Sequence, residues 1–130
     1  MKLEVFEYQI TVSKLAIDDM NHANNVMYLQ WVQDVAKKHW ESKTSEALRD
    51  KYAWVVLNHY IEYKSPAYEN DILALQTWIE HYQGAKSERH TRIINESNQK
   101  VLVTAKTSWC FLSKETLKPT RITEEISTLF

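Results

Sequence analysis

The chain has 130 residues, 44% hydrophobic and 25% charged, with a formal net charge of -1, the make-up of one ordinary globular domain spanning residues 1–130. That balance gives no field to draw in nucleic acid or an anionic membrane, and Glu4 and Glu7 interrupt the apolar stretch a signal peptide needs. With no run of about 18 apolar residues, a cytoplasmic protein without membrane insertion is expected, and one Gly and two Pro predict few tight turns and long, regular elements.

Residues 3 to 12 alternate, with Phe6, Tyr8, Ile10 and Val12 on one side and Glu7, Gln9 and Thr11 on the other, which predicts a half-buried strand. After the polar cluster Asp18-Asp19-Met20-Asn21-His22, residues 24 to 42 change to helical periodicity. Gln30, Gln33, Asp34, Lys37 and Glu41 share one face of that helix. Tyr28, Leu29, Trp31, Val32, Val35, Ala36, His39 and Trp40 cover the other. An apolar face that wide belongs to a helix pressed deep against a sheet. A short helix over Ser45 to Lys51 is expected next. Strands then follow over Ala53–Lys64, Ile72–His81, Lys86–Ile94 and Val101–Leu112, broken at Ser65-Pro66, Asn70-Asp71, Gln83-Gly84 and Asn95-Glu96-Ser97-Asn98. Cys110, alone in the chain and set in Trp109-Cys110-Phe111-Leu112, reads as a small buried hydrophobe. The tail from Lys114 to Phe130 has no pattern.

No helix-length segment interrupts the last four strands, so short hairpin-like connections and antiparallel pairing are expected. The order predicts an α+β domain in which a curved antiparallel sheet of five to six strands wraps one long central helix. One helix cannot cover every strand, so residual apolar faces and open edges point to a homo-oligomer, a homodimer or homotetramer.

Carboxylates, amides and an imidazole concentrate in Asp18-Asp19-Met20-Asn21-His22-Ala23-Asn24-Asn25, at the start of the buried helix. A helix N-terminus carries unpaired N–H groups and a positive dipole end suited to a developing oxyanion. A nearby carboxylate could deprotonate water or attack a carbonyl. Asp and Asn are also the preferred helix caps, and pattern alone leaves capping and catalysis both open.

Asp18-x-x-Asn21-His22-Ala23-Asn24-Asn25-Val26-Met27-Tyr28-Leu29-x-Trp31 resembles the signature Asp-x-x-Gly-His-Val-Asn-Asn-x-x-Tyr-Leu of hotdog-fold thioesterases, the 4-hydroxybenzoyl-CoA thioesterase-like and acyl carrier protein enzymes. Ile61-Glu62-Tyr63-Lys64-Ser65-Pro66-Ala67-x-x-Asn70-Asp71 is similar to that family's Tyr-x-x-Pro followed by Gly-Asp. The resemblance implies a hotdog fold and hydrolysis of an acyl-CoA or acyl carrier protein thioester without a cofactor. It implies Asp18 as base or nucleophile, with Asp19 as the rival carboxylate. Asn24 and Asn25 would then sit at the oxyanion site, with His22 and Asn21 orienting substrate or water and Tyr28 completing the motif. Asn21 and Asn70 stand where the family has Gly. Asn tolerates left-handed backbone better than other non-glycine residues, so both turns are expected to survive.

In that fold His59 would run beside the helix N-terminus of a neighbouring subunit, although a lone strand His is more often structural. His39, central on the apolar face, reads as a hydrogen-bonded core residue. The run Lys86-Ser87-Glu88-Arg89-His90-Thr91-Arg92 places Arg89 and Thr91 on one strand face and His90 and Arg92 on the other. These arginines could bind coenzyme A phosphates, and a solvated strand face is the plainer account. Trp31, Trp54, Trp78 and Trp109 could line an acyl tunnel or fill the core. The five histidines lack metal-ligand spacing, and neither a Gly-rich phosphate loop nor a Gly-x-Ser-x-Gly elbow is present. A non-catalytic acyl-CoA-binding or sensing protein of the same fold is the competing reading. Dehydration chemistry would need an acid reaching from the helix core, whereas Asp34 and Glu41 lie on its polar face.

Overall fold

The computed structural model describes residues 4–130. In chain order it contains β1 (Phe6–Thr11), a 3-10 turn (Lys14–Ala16), α1 (Asn25–Lys43), α2 (Glu46–Lys51), β2 (Tyr52–Tyr63), β3 (Ile72–Gln83), β4 (Lys86–Asn95), β5 (Lys100–Ser113) and α3 (Glu124–Ser127). The expected strand start at Leu3 lies outside the described residues. Among them, no helix is long and apolar enough to cross a membrane.

Five strands, all antiparallel, form one sheet in the order β1-β3-β4-β5-β2. The expectation of hairpin connections throughout is corrected at one place. β2 does not pair with β3; it lies beyond β5 at the opposite edge, and residues 64–71 cross over between them. A segment that short looked like a hairpin loop, yet it is long enough to pass under the start of α1, where Ala67 is wholly buried. Only β3–β4 and β4–β5 are hairpins, the first turning at Gly84, whose φ of 61° is one that glycine adopts without cost.

α1 packs its apolar stripe on the sheet: Tyr28, Trp31, Val32 and Val35 meet Leu73, Leu75, Ile93, Leu102 and Val103 in one cluster, each fully buried aliphatic contributing roughly 1.5–3 kcal/mol. A second cluster holds Phe111 with Ile122 and Ile126, so the patternless tail folds back over the sheet and its α3 helps close that end. Cys110 is buried.

Three register shifts redirect side chains. In β2 the shift at Leu57 moves the helix-facing set from Trp54 and Val56 to His59 and Ile61. In β3 the shift at Glu80 lets Tyr82 join the face that Thr77 and Ile79 present to the helix. A third lies between the pairs Ile93–Val103 and Ile94–Val101 of β4 and β5, leaving Leu102 of β5 without a partner in the register. Such bulges insert one residue and so change which parity points inward.

The interior is not uniformly apolar. His39 is fully buried, stacks on Phe6 at 5.0 Å and accepts a hydrogen bond at Nδ1 from Arg89 at 2.9 Å. Burial, and then the Arg89 charge, lower its pKa from the ordinary 6.5 to about 4; Glu4, 3.9 Å from Nε2, opposes this and Lys43 reinforces it. At pH 7 the imidazole is neutral folded and unfolded. Below pH 6.5 the unfolded chain binds a proton that the folded chain refuses until about pH 4, so stability falls across that window, by at most about 3 kcal/mol. Urea unfolding between pH 7 and 4.5 is expected to show this decline, and His39→Gln to flatten it. The residual slope would come from His59, whose pKa burial also lowers.

Candidate active site

The loop before α1 is built by its own side chains. Asp18 Oδ1 accepts the N–H groups of Met20 at 2.9 Å and His22 at 3.3 Å. The Asp18 N–H donates to the His22 carbonyl at 2.8 Å, and the Asn21 N–H to the Asp18 carbonyl at 3.1 Å. That turn requires positive φ at Asn21, 63°, and the crossing segment requires it at Asn70, 70°. Both asparagines thus do what glycine would do there.

Asn24 caps α1, its side chain accepting the Val26 N–H at 3.0 Å. Asn25 is the first helical residue, and its N–H makes no hydrogen bond among the described residues. Asn24 and Asn25 are exposed and Asp18 is half-buried. One carboxylate oxygen is therefore committed to the loop and the other is not, and the loop leads into a helix start with an open N–H and the positive dipole end.

Two loops are sewn to the helix by Tyr28. Its hydroxyl accepts the Ala67 N–H at 2.8 Å, and the Ala67 carbonyl accepts the Ala23 N–H at 2.8 Å. Burial raises the Tyr28 pKa, the Ala67 bond opposes that, and the nearby Asp18 and Asp71 charges add to the rise, so the phenol stays neutral. His22 is half-buried and meets the Tyr68 ring edge-on at 5.3 Å. Asp19 and Asn21 are exposed on the same loop. The structure therefore brings together Asp18, Asp19, Asn21, His22, Asn24, Asn25 and Tyr28.

The other candidates lie elsewhere. His59 faces Gln33 at 3.4 Å and Thr107 at 2.8 Å, eight residues and so about 12 Å along α1 from Asn25. Arg89 is buried against His39, about 20 Å down the helix, rather than on a solvated face. Arg92 does lie on the outer face, gripping Gln76 and stacking over Trp78. Among the described residues, no cluster of His, Cys, Asp and Glu could hold a metal ion.

A cavity of about 550 Å3 lies between α1 and the sheet, with Gln30 and Gln33 at one end and Trp40 and Phe130 at the other. Trp54 and Trp109 line it, Trp31 lines a separate groove beside β1, and Trp78 faces outward. Tyr82 and Phe130 line it too, and neither was singled out from the sequence: Tyr82 falls after a bulge and Phe130 ends the patternless tail.

Residues 12–130 match the model of the thioesterase-like superfamily. The chain belongs to the thioesterase-like superfamily. Among solved structures, this superfamily member is similar to a probable thioesterase, YbaW, from Escherichia coli, with TM-score 0.84 and 23% identity over 95% of this chain and 94% of that one. It is also similar to a 1,4-dihydroxy-2-naphthoyl-CoA thioesterase from Synechocystis, with TM-score 0.84 and 16% identity over 97% and 95%. A hypothetical protein from Staphylococcus aureus, solved in complex with CoA, superposes with TM-score 0.87 and 20% identity over 99% and 83%. At such identities the likeness establishes the fold, which is the α+β hotdog arrangement. No curated protein sequence matches the chain.

Replacing Asn21 with Val should cost about 1–2 kcal/mol by placing a β-branched residue at positive φ, whereas Asn21→Gly should cost nothing. Asn24→Ala should lose about 1 kcal/mol of cap energy. Urea denaturation of the three variants checks both statements.

Proposed function

We propose that the protein hydrolyses acyl thioesters, of coenzyme A or of an acyl carrier protein, at the start of α1. The observation that carries this reading is the Asp18 carboxylate, held through one oxygen by the loop that leads into α1, whose first N–H, that of Asn25, is open. Coenzyme A is favoured as the thiol because one neighbour of the same fold was solved with CoA and another is a CoA thioesterase.

In this reading the thioester carbonyl oxygen points at the Asn25 N–H, where the helix dipole favours the developing negative charge. Asp18 Oδ2 takes a proton from water as that water attacks the carbonyl carbon, or attacks that carbon itself. Collapse of the tetrahedral species breaks the C–S bond. After attack by water the leaving thiolate takes up the proton held on Asp18. Direct attack instead leaves an acyl-aspartyl anhydride that water cleaves, regenerating the Asp18 carboxylate, freeing the acid and giving one proton to the thiolate and one to solvent. His22 and Asn21 border the reacting centre and orient substrate or water. Asn24 keeps the helix end in shape.

A homo-oligomer, at least a dimer, is the assembly we propose. β2 ends the sheet, and Val55, Leu57, Tyr60 and Tyr63 are exposed on it, an edge that a second copy would cover. Sedimentation at micromolar concentration checks this, and a monomer would refute it.

Asp18→Asn retains an oxygen to accept the Met20 and His22 N–H groups, so the loop should keep its shape. Its kcat on a panel of short, long and aromatic acyl-CoA substrates, followed by thiol release, should fall by about 10²–10⁴ with KM little changed. Binding without turnover by the wild type would instead assign the protein as a non-catalytic acyl-CoA binder.

A further inference from the structure

Arg89 is the most deeply buried cation among the described residues, and the proposed hydrolysis does not use it. It lies on the helix side of β4, in register with Ile79 of β3 and Thr107 of β5. Its Nη1 donates to His39 Nδ1 at 2.9 Å and to Thr77 Oγ1 at 3.0 Å. Both acceptors are neutral, His39 because burial and Arg89 hold its pKa near 4. Among the described residues no carboxylate forms an ion pair with Arg89. Buried charges are ordinarily paired, yet Asp34 and Glu41, the carboxylates that line the cavity between α1 and the sheet, form no ion pair with Arg89.

The unused part of the guanidinium has a definite shape. Nε and Nη2 have no hydrogen-bond partner among the described residues. On the outer face Arg92 uses the same two nitrogens to hold Gln76 Oε1, at 3.0 and 2.7 Å. That edge presents two parallel N–H groups, the fork that matches the two oxygens of a carboxylate.

Arg89 also lines the 550 Å3 cavity, with Tyr82 and Trp109 beside it. Tyr82 Oη and Trp109 Nε1 are buried and without a partner. Both residues pair across the sheet with Ser87, two positions from Arg89, so the three donors share one wall. Burial pushes the Tyr82 phenol up to about 12, which keeps it protonated and able to donate. Trp40, Trp54 and Phe130 contribute aromatic surface to the same cavity.

We propose that this cavity takes the carboxylate end of a long apolar chain. Its two oxygens would lie on the Nε and Nη2 edge of Arg89, within reach of Tyr82 and Trp109, and its methylenes against the aromatic wall. A methyl-ended chain would fill the same space and leave the cation unpaired. Such a carboxylate is carried by the far end of a dicarboxylic acyl thioester and by a free fatty acid. The first source rests on the thioester hydrolysis proposed above, the second does not. From Asn25 to the level of His39 is about 20 Å along the helix, a span that an extended chain of roughly sixteen carbons covers with C–C bonds of about 1.5 Å. The cavity lines this path from Gln30 onward, and a thioester held at Asn25 would cross the first turn of the helix outside it.

Tryptophan fluorescence provides a titration that does not depend on turnover, because Trp40, Trp54 and Trp109 line the site. Wild type should bind hexadecanoate about tenfold or more tighter than hexadecanol, and Arg89→Met should bind the two alike. Equal binding by wild type, or a carboxylate preference that survives Arg89→Met, overturns the proposal. Should Arg89→Met fail to fold, Arg89→Lys and Tyr82→Phe carry the same test. Each should lower hexadecanoate affinity about three- to tenfold with hexadecanol unaffected, and an unchanged preference in both overturns it. Comparing hexadecanedioyl-CoA with hexadecanoyl-CoA in the thiol-release assay separates the sources. A kcat/KM advantage for the diacid that Tyr82→Phe removes assigns the thioester. Equal turnover alongside tight hexadecanoate binding assigns the free acid. Turnover of neither overturns the hydrolase reading alone, since the titration stands apart from it.

Discussion

The fold depends on seating one long helix against a curved sheet with its N-terminal end fixed in place. Packing along Trp31, Val32 and Val35 holds the helix down, but an apolar face alone allows it to slide or rotate. The Tyr28 hydroxyl removes that freedom. By accepting the Ala67 N–H, and through the Ala67 bond to Ala23, it ties the helix to the crossing segment and to the loop that carries Asp18. A buried phenol needs a partner, and a buried backbone N–H needs one as well. Satisfying both with one bond sets where the helix begins relative to the sheet, and so where the open Asn25 N–H lies.

A second constraint runs through the middle of the core. His39, Thr77, Arg89, Thr91 and Thr107 are buried polar residues between two apolar clusters, and bulges in β2 and β3 turn His59 and Tyr82 toward the same side. A polar layer at that depth is tolerated only where its groups find partners. Toward the helix Arg89 meets His39 and Thr77, and His59 meets Thr107, while His39 Nε2 is left buried without a hydrogen-bond partner. Toward the cavity Tyr82 Oη and Trp109 Nε1 are buried without a partner, and Nε and Nη2 of Arg89 make no hydrogen bond among the described residues. The chemistry of that wall thus follows from which partners the fold omits. The two ends of α1 are different places, an exposed polar start and an end whose aromatic residues line the cavity.

Periodicity reports which face of an element is apolar, and that was enough for most of the architecture. The helix over 24 to 42, the short helix beyond it and the strands all stand within a few residues of their expected limits, because the long helix and the strands have extended amphipathic patterns with little glycine to interrupt them. The capping sequence Asn24-Asn25 and the left-handed asparagines at 21 and 70 were legible for the same reason: their consequences are local.

What the amino-acid order could not carry was anything decided by pairing across the chain. The edge position of β2 depends on competition between strands far apart in sequence, and a short 64–71 segment reads the same for a hairpin as for a crossing. A bulge shifts parity by one residue without a sequence mark, so Tyr82 and His59 could not be assigned a face. Arg89 illustrates the limit most clearly, since its alternation grouped it with Thr91 on one face of the strand but did not say which face turns inward, and a solvated face was the plainer account of a residue that is buried. By itself the sequence determined the elements, their apolar faces, the helix cap and the superfamily motif, all of which rest on interactions within about a turn or two of chain. Only the tertiary structure decided strand order, the cavity, and which buried donors lack a partner, because those depend on what the rest of the chain places opposite each residue.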